Sequence, residues 1–153
     1  MMTLPVFSTT RCNLTEILNS DLDRLRQVAE DDSFKQYLPE LYELLKSDNG
    51  CKTFISSFNK YAQDGNGFLW AIRADSRLIG FIAIMDIPFN STIFYAIHPS
   101  YRCKGIAKEC VHKIVSWYEN YYSGIPIHTE IYESNKVSLH IASCFPSIII
   151  TIK

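Results

Sequence analysis

The stretch Tyr95-Ala96-Ile97-His98-Pro99-Ser100-Tyr101-Arg102-Cys103-Lys104-Gly105-Ile106-Ala107 decides the fold, because a strand pattern runs through a short basic loop directly into a helix. The first backbone N–H groups of a helix have no partner within it, and the helix dipole places partial positive charge there. A phosphate group binds well at such a position. Gly105 carries no side chain, so a ligand can approach the backbone closely.

The charges around this loop favour the same kind of ligand. Between positions 98 and 113 the side chains give a local net charge of +3, whereas the whole chain has a net charge of −1. The pattern GxxxxGK[ST] of nucleotide-binding P-loops is absent from the sequence. The stretch therefore predicts a polyphosphate site, and an ordinary strand-to-helix turn with a solvated basic face is the alternative. The charged residues are Arg102, Lys104, Glu109, Lys108 and Lys113.

Strand and helix patterns continue on both sides of the loop. Strand patterns over 68–72, 78–87 and 91–98 are joined by short turns and predict an antiparallel meander. Beyond the loop we expect a helix over 105–121, a strand over 126–132, a helix over 135–144 and a last strand over 147–152. The first half is extended over 6–17 and then helical, with helices that begin at Ser20, cover 34–45 with a bend or break at Pro39, and cover 53–63. This order predicts a mixed α/β or α+β sandwich.

Composition favours one globular domain over residues 1–153. Of the 153 residues, 47% are hydrophobic and 20% charged, which is enough for a sizeable core. The nearly neutral charge argues against a disordered chain and against a nucleic-acid partner. The sequence contains no apolar run of about 18 residues and no secretory signal pattern, so we expect no membrane partner. Five cysteines without a CxxC pair disfavour a metal site or a disulfide framework and favour a cytoplasmic protein.

Four segments, in the right order, resemble motifs of one enzyme family. The loop over 102–107 fits the (Q/R)-x-x-G-x-(G/A) pyrophosphate loop of the GNAT superfamily of N-acetyltransferases. Three further segments resemble the RimJ/RimL-like branch of that family: its T-x-R-L-x-L opening, its LIG strand and the N-x-x-S that begins its fourth helix. They are Thr10-Arg11-Cys12-Asn13-Leu14, Arg77-Leu78-Ile79-Gly80-Phe81-Ile82 and Asn135-Lys136-Val137-Ser138. The resemblance implies a GNAT-like mixed, largely antiparallel central sheet flanked by helices.

The resemblance also implies a function and a set of binding residues. The cosubstrate would be acetyl-CoA, and the reaction a direct transfer of acetyl from the thioester to a primary amine, at a protein N-terminus or on a small molecule. Backbone groups near Ile97 would pair with the pantetheine arm, and Asn135 would contact that arm or its phosphate end. The loop would hold the pyrophosphate through Arg102, Cys103, Lys104, Gly105, Ile106 and Ala107.

The acid and base of the reaction are less clearly marked in the sequence. Many family members carry a Tyr that protonates the leaving thiolate, but Ala142 stands at that position here. In the RimL-like branch the Ser of N-x-x-S takes this role, which points to Ser138; a hydroxyl that bonds a nearby helix carbonyl is the alternative. The family's common Glu of the fourth strand falls at Thr92. Glu130 is the best remaining base, with Glu133 and His128 behind it, and a solvated strand carboxylate is the alternative.

Departures from the family pattern leave a second function open. Cys103 occupies a loop position that usually holds Gly, where a cysteine fits if its backbone avoids the left-handed region. Together with the missing Tyr and Glu, it suggests a degenerate GNAT-fold module that binds coenzyme A or a partner without catalysis. An α-amino acceptor has a lower pKa than a lysine side chain and needs less help from a base. The absence of an obvious base therefore favours N-terminal amines or a water relay.

The C-terminal segment is shorter than the resemblance leads us to expect. RimJ/RimL-like chains usually continue through two strands after the fourth helix, and that helix usually ends in a Gly-Phe pair. Here Cys144-Phe145-Pro146-Ser147 stands in that place, and the apolar stretch over 147–153 supplies at most one strand. An apolar strand without a neighbour leaves an edge open for pairing. We therefore expect shortened C-terminal strands, with a frayed C-terminus or a homodimer.

Overall fold

The chain forms one mixed β-sheet with helices on both faces, and a computed structural model describes residues 4–153. Within these residues the sheet has seven strands, which follow one another in chain order. They are β1 (Phe7–Ser8), β2 (Asn13–Thr15), β3 (Phe68–Ala74), β4 (Arg77–Met85), β5 (Thr92–Ile97), β6 (Ile127–Ile131) and β7 (Ile148–Ile152). The helices are α1 (Leu22–Ala29), α2 (Asp32–Tyr37), α3 (Pro39–Leu45), α4 (Asp48–Asp64), α5 (Ile106–Tyr121) and α6 (Lys136–Ser143).

Strands β1 to β5 are antiparallel, whereas β5, β6 and β7 run parallel to one another. This arrangement confirms the predicted meander and the predicted GNAT-like mixed sheet. Gly80 lets β4 and β5 lie close together, since a Cβ atom at that position would stand 2.3 Å from the carbonyl oxygen of Ala96. The parallel pairs follow from the helices α5 and α6, each of which returns the chain to the same end of the sheet.

The sheet separates two hydrophobic cores. On the face that we call the α5 face, side chains of β5 such as Ile93 and Ile97 pack with α5 and α6. On the opposite face, the α1–α4 face, Phe94 and Ala96 pack with the four N-terminal helices. Successive side chains of a strand point to opposite faces, so each strand contributes to both cores. Among residues 4–153 no helix is long and apolar enough to cross a membrane.

Two predicted helix boundaries differ from the structure. Ser20 does not cap the first helix: it lies in a 3-10 turn, Asn19–Asp21, and α1 begins at Leu22. The predicted helix over 53–63 begins earlier, because the hydroxyl of Ser47 accepts a hydrogen bond from the N–H of Gly50 and caps α4. The predicted break at Pro39 is confirmed, since Pro39 is the first residue of α3.

The C-terminal segment is ordered as a strand. All five residues of β7 pair with β6, from Ile127 with Ile148 to Ile131 with Ile152. Ile148 is buried in the core of the α5 face, which anchors the start of the strand. The prediction of a frayed C-terminus is therefore wrong, because parallel pairing and this burial hold the segment in the sheet. The homodimer stays a prediction.

Candidate active site

The most distinctive feature of the sheet is a gap between two parallel strands. Strands β5 and β6 are paired in register only at Thr92 and His128, and beyond that point they separate. The hydroxyl of Thr129 still reaches across to the carbonyl oxygen of Ile93, at 3.0 Å. A cavity of about 440 Å³ opens where the strands have parted, and we call it the β5–β6 cleft. Strand separation leaves backbone polar groups of β5 available to a ligand.

The cleft brings together seven of the ten site residues that the sequence predicts. Its lining includes Ile97, Arg102, Cys103, Ala107, Glu130, Asn135 and Ser138. Lys104, Gly105 and Ile106 lie beside it, in the loop and at the start of α5. Gly105 lines a second cavity, of about 600 Å³, between α5 and the turn that follows α6.

The loop between β5 and α5 is built to present backbone N–H groups. Pro99–Tyr101 forms a 3-10 turn, and α5 begins at Ile106 after Gly105. Gly105 has φ of +78°, a left-handed conformation that favours glycine. The first N–H groups of α5 therefore point out of the helix end without an intrahelical partner. Their partial positive charge suits a phosphate oxygen.

Cys103 adopts the left-handed backbone conformation in which a cysteine fits the loop poorly. Its φ is +61°, so the cysteine lies in the left-handed region although it carries a Cβ atom. A left-handed conformation costs an L residue roughly 1–2 kcal/mol. The side chain is exposed and lines the cleft. The loop therefore keeps a glycine-like shape at this position with a residue that resists it.

The side chain of Arg102 points away from the helix end and bonds to three neighbours. Its guanidinium donates to the carbonyl oxygen of Ile97 at 3.0 Å, to the hydroxyl of Ser33 at 2.9 Å and to the carboxylate of Asp31 at 2.5 Å. Burial alone raises the pKa of Asp31, but hydrogen bonds from Ser33 and Arg102 outweigh burial and hold that pKa below its usual value. Arg102 thus ties the end of β5 to the start of α2, and Asp31 neutralises much of its charge.

Ser138 and Asn135 meet at the start of α6. Asn135 is the N-cap residue, and its side-chain oxygen accepts a hydrogen bond from the N–H of Ser138, at 3.4 Å. This contact orients the first turn of α6 toward the cleft. The hydroxyl of Ser138 approaches the hydroxyl of Tyr95, which lies in the middle of β5.

Glu130 lies on the other face of the sheet from Ser138. Because β6 alternates, Glu130 shares the α1–α4 face with His128, whereas Thr129 points to the α5 face. Its carboxylate is 60% exposed and forms an ion pair with Lys153 at 3.2 Å. The candidate base and the candidate acid therefore lie at the cleft on opposite faces of the sheet.

A comparison with protein-family models identifies this architecture. Residues 11–143 match the model described as the acetyltransferase (GNAT) domain, which is most of the chain. The chain belongs to the GNAT family. The match confirms the family that the loop motif predicts, and GNAT enzymes use acetyl-CoA, as the sequence analysis expects. A search of curated protein sequences finds no match.

Solved structures of other GNAT proteins share the fold. RimL, a ribosomal-protein alpha-N-acetyltransferase in complex with coenzyme A, is 16% identical with a TM-score of 0.79 over 92% of this chain and 82% of that chain. A ribosomal-protein-alanine acetyltransferase from Vibrio fischeri is 15% identical with a TM-score of 0.79 over 93% and 82%. The microcin C7 self-immunity acetyltransferase MccE, in complex with acetyl-CoA and AMP, is 14% identical with a TM-score of 0.70 over 88% and 77%.

Arg11 contacts the loop between β5 and α5, which the sequence did not predict. It donates to the carbonyl oxygen of Lys104 at 2.7 Å and forms an ion pair with Glu109 at 2.8 Å. A Cβ atom on Gly105 would stand 3.5 Å from one of its terminal nitrogens. The T-x-R motif held the signal, but only the fold brings position 11 beside the start of α5.

Tyr95 is the second residue that sequence reasoning missed. Its hydroxyl is buried and has no hydrogen-bond partner among residues 4–153. Burial raises the pKa of Tyr95 to about 12, against a smaller lowering by Ser138. The strand alternation that puts Tyr95 with Ile93 and Ile97 was visible in the sequence, but the path of α6 over this face was not.

Proposed function

We propose that this chain is an acetyl-CoA-dependent N-acetyltransferase that passes an acetyl group to a primary amine, at a protein N-terminus or on a small molecule, by direct transfer. The main support is the β5–β6 cleft, which extends from the unpaired backbone of β5 to the N-terminus of α5. A long arm with a diphosphate at one end matches that shape and that charge. When bound, acetyl-CoA supplies an activated acetyl group and a thiol leaving group.

The loop residues fit the diphosphate in different ways. The N–H groups of Ile106, Ala107 and Lys108, in the first turn of α5, would bind phosphate oxygens. Gly105 leaves room for the phosphate, because it adopts its left-handed conformation freely and carries no side chain. Arg102 would act by holding the loop against β5, since its guanidinium is already paired with Asp31.

The N–H of Ile97 would polarise the carbonyl that reacts. The next N–H along the chain, that of His98, donates to the carbonyl oxygen of Ile79 on β4, at 2.7 Å. Since neighbouring residues of a strand point their N–H groups to opposite sides, the N–H of Ile97 points into the cleft. A fixed donor of this kind stabilises negative charge that develops on a carbonyl oxygen.

The acceptor amine would approach from the α1–α4 face. Glu130 and His128 lie on that face of β6, so a carboxylate is available to take a proton directly or through water. Orientation of two bound substrates supplies most of the rate in such a transfer. An α-amino group, with an ordinary pKa near 7.7–8.0, is neutral in part at physiological pH and suits a site with an exposed base.

Thermal unfolding with acetyl-CoA tests the binding half of this proposal. A ligand that binds only the folded state raises the melting temperature. We expect Gly105→Glu to abolish the acetyl-CoA shift, because a carboxylate would stand among the phosphates. Gly105→Ala is the matched control, since it adds the same backbone strain without a charge, and should retain most of the shift. No shift of the wild-type protein at millimolar acetyl-CoA would contradict the proposal.

Thiol release with a panel of amines tests the transfer half and separates it from a second function. A non-catalytic coenzyme A-binding module is favoured by one observation: Ala142 and Thr92 stand where the family commonly has its Tyr and its Glu. Peptide N-termini and small amines should release thiol from acetyl-CoA if the chain is an enzyme. Acetyl-CoA binding without release across the whole panel would instead support the module.

A further inference from the structure

The hydroxyl of Tyr95 is an unsatisfied polar group in the wall of the cleft. It comes from the middle of β5, on the face that packs under α6, and no polar atom in the described part of the chain gives it a hydrogen bond. Leaving a buried hydroxyl unpaired costs about 1–3 kcal/mol. Native proteins rarely keep such a group, and those that remain often serve a function. A ligand atom in the cleft would supply the missing partner.

The position of Tyr95 relates it to the reacting end of the cleft. It lies two residues before Ile97, whose N–H points into the same cleft, and its hydroxyl faces the first turn of α6 at Ser138. Tyr95 therefore spans the α5 face from β5 to α6, across the line that a thioester on β5 would follow. Glu130 lies on the other face, where the amine would enter.

We propose that the hydroxyl of Tyr95 donates a hydrogen bond to the sulfur of the departing coenzyme A. This inference rests on the proposed function. As the amine nitrogen bonds to the acetyl carbon, the carbon–sulfur bond breaks and its electron pair stays on sulfur. Tyr95 keeps its proton throughout. The amine gives up one proton to Glu130 or water, and the released thiolate takes up one proton from solvent, so the exchange balances.

Tyr95 suits this role better than the residue that the sequence analysis selected. Its raised pKa, about 12, keeps the hydroxyl protonated and able to donate at every pH near neutrality. A phenol is a stronger hydrogen-bond donor than the aliphatic hydroxyl of Ser138. Ser138 lies beside the Tyr95 hydroxyl, on the side of α6.

The test compares Tyr95→Phe with Tyr122→Phe. Tyr122 is a second tyrosine with a buried, unpartnered hydroxyl, but it follows α5 and does not line the cleft. The first measurement is the pKa of the thiol of bound coenzyme A, followed by thiolate absorbance. The second is kcat with an amine acceptor, and the third is the melting temperature without ligand.

We expect Tyr95→Phe to raise the pKa of the bound thiol by about one unit and to lower kcat about 10- to 100-fold, the effect of losing a hydrogen bond to a charged group. Its melting temperature should not fall, because the lost hydroxyl had no partner. Tyr122→Phe should leave the thiol pKa and kcat unchanged. Wild-type values of both in Tyr95→Phe would overturn the role of Tyr95 alone, and failure of the wild-type protein to bind coenzyme A would overturn the proposed function with it.

Discussion

Two arginine–aspartate pairs use the same chemistry in different surroundings. Arg73 of β3 meets Asp21 through two hydrogen bonds of 2.6 and 2.8 Å, and their side chains are only 14% and 10% exposed. Arg102 meets Asp31 through one bond of 2.5 Å, with side chains 35% and 19% exposed. The first pair joins the chain before α1 to the sheet. The second stands in the wall of the cleft.

The difference shows what each pair contributes. Arg73 also bonds the hydroxyl of Thr15 and the carbonyl oxygen of Glu16, so all three nitrogens of its guanidinium form hydrogen bonds that join parts of the fold. Arg102 donates its other hydrogen bonds to Ile97, at the end of β5, and to Ser33 of α2. A buried pair holds a structure together, and removing one partner leaves the other charge uncompensated. A partly exposed pair fixes a geometry, so its loss should appear in binding before it appears in stability.

Asp21→Asn should have the largest effect on stability. It leaves the guanidinium of Arg73 in a largely buried place without its counter-charge, and we expect the free energy of unfolding to fall by about 3 kcal/mol. Urea unfolding measures the loss. The acetyl-CoA shift of the melting temperature should stay at the wild-type size, because this pair lies outside the cleft.

Asp23→Asn is the control for this prediction. Asp23 pairs with Arg26 at 2.6 Å, but its side chain is 82% exposed, so its loss should cost under about 0.5 kcal/mol. If Asp21→Asn cost no more than Asp23→Asn, burial would not be what distinguishes the two arginine pairs.

The fold was predictable because its signals are local. The turn at Asp75 and Ser76, the apolar strands around it and the amphipathic α5 determine the meander and the helix that follows. The misplaced start of α1 has a physical cause: the carboxylate of Asp21 accepts the N–H of Leu18 and bonds Arg73, a residue 52 positions away. Such a partner is invisible to a reading of neighbouring residues. The same holds for the pairing of all five residues of β7 with β6, which the sequence analysis did not predict.

Arg102→Lys should have the second largest effect, and on binding. Lysine keeps the positive charge but cannot bond Ile97, Ser33 and Asp31 together, because it lacks the planar fork of arginine. We expect KM for acetyl-CoA to rise about tenfold, equivalent to about 1.4 kcal/mol, with little change in kcat. Initial rates over a range of acetyl-CoA concentrations give both constants.

Arg73→Lys is the matched control, since it makes the same substitution in the pair outside the cleft. It should lower stability and leave KM for acetyl-CoA unchanged. A wild-type KM in Arg102→Lys would show that the charge at position 102, rather than the geometry it holds, is what acetyl-CoA needs.

The candidate site was predictable in its loop and less so in its chemistry. The loop motif identifies Arg102 and Gly105. It does not predict the ion pair between Arg102 and Asp31, because Asp31 is distant in sequence. Glu130 and Ser138 were found by analogy and by elimination. The hydroxyl of Tyr95 could not be found in that way, because its lack of a partner depends on how α6 packs over β5.

Cys103→Gly should have the smallest effect of the predicted changes. Glycine adopts the left-handed conformation of position 103 freely, and after its greater freedom in the unfolded chain is subtracted we expect a gain of about 0.5–1 kcal/mol in unfolding free energy. Ser76→Gly, at φ of +66° in the turn between β3 and β4, should give a similar gain away from the cleft.

The informative measurement combines these changes with Arg102→Lys. Suppose that Arg102 holds Cys103 in its left-handed conformation. Cys103→Gly should then lower the KM for acetyl-CoA of the Arg102→Lys variant about threefold. The reason is that a glycine at position 103 adopts this conformation without support from Arg102. Ser76→Gly should recover none, although it stabilises the fold by a similar amount. Equal recovery by the two glycine variants would mean that global stability, and not the loop, limits binding. Recovery by Cys103→Gly alone would show that the pair of Arg102 and Asp31 offsets backbone strain at the phosphate loop, a role that the buried pair of Arg73 and Asp21 does not have.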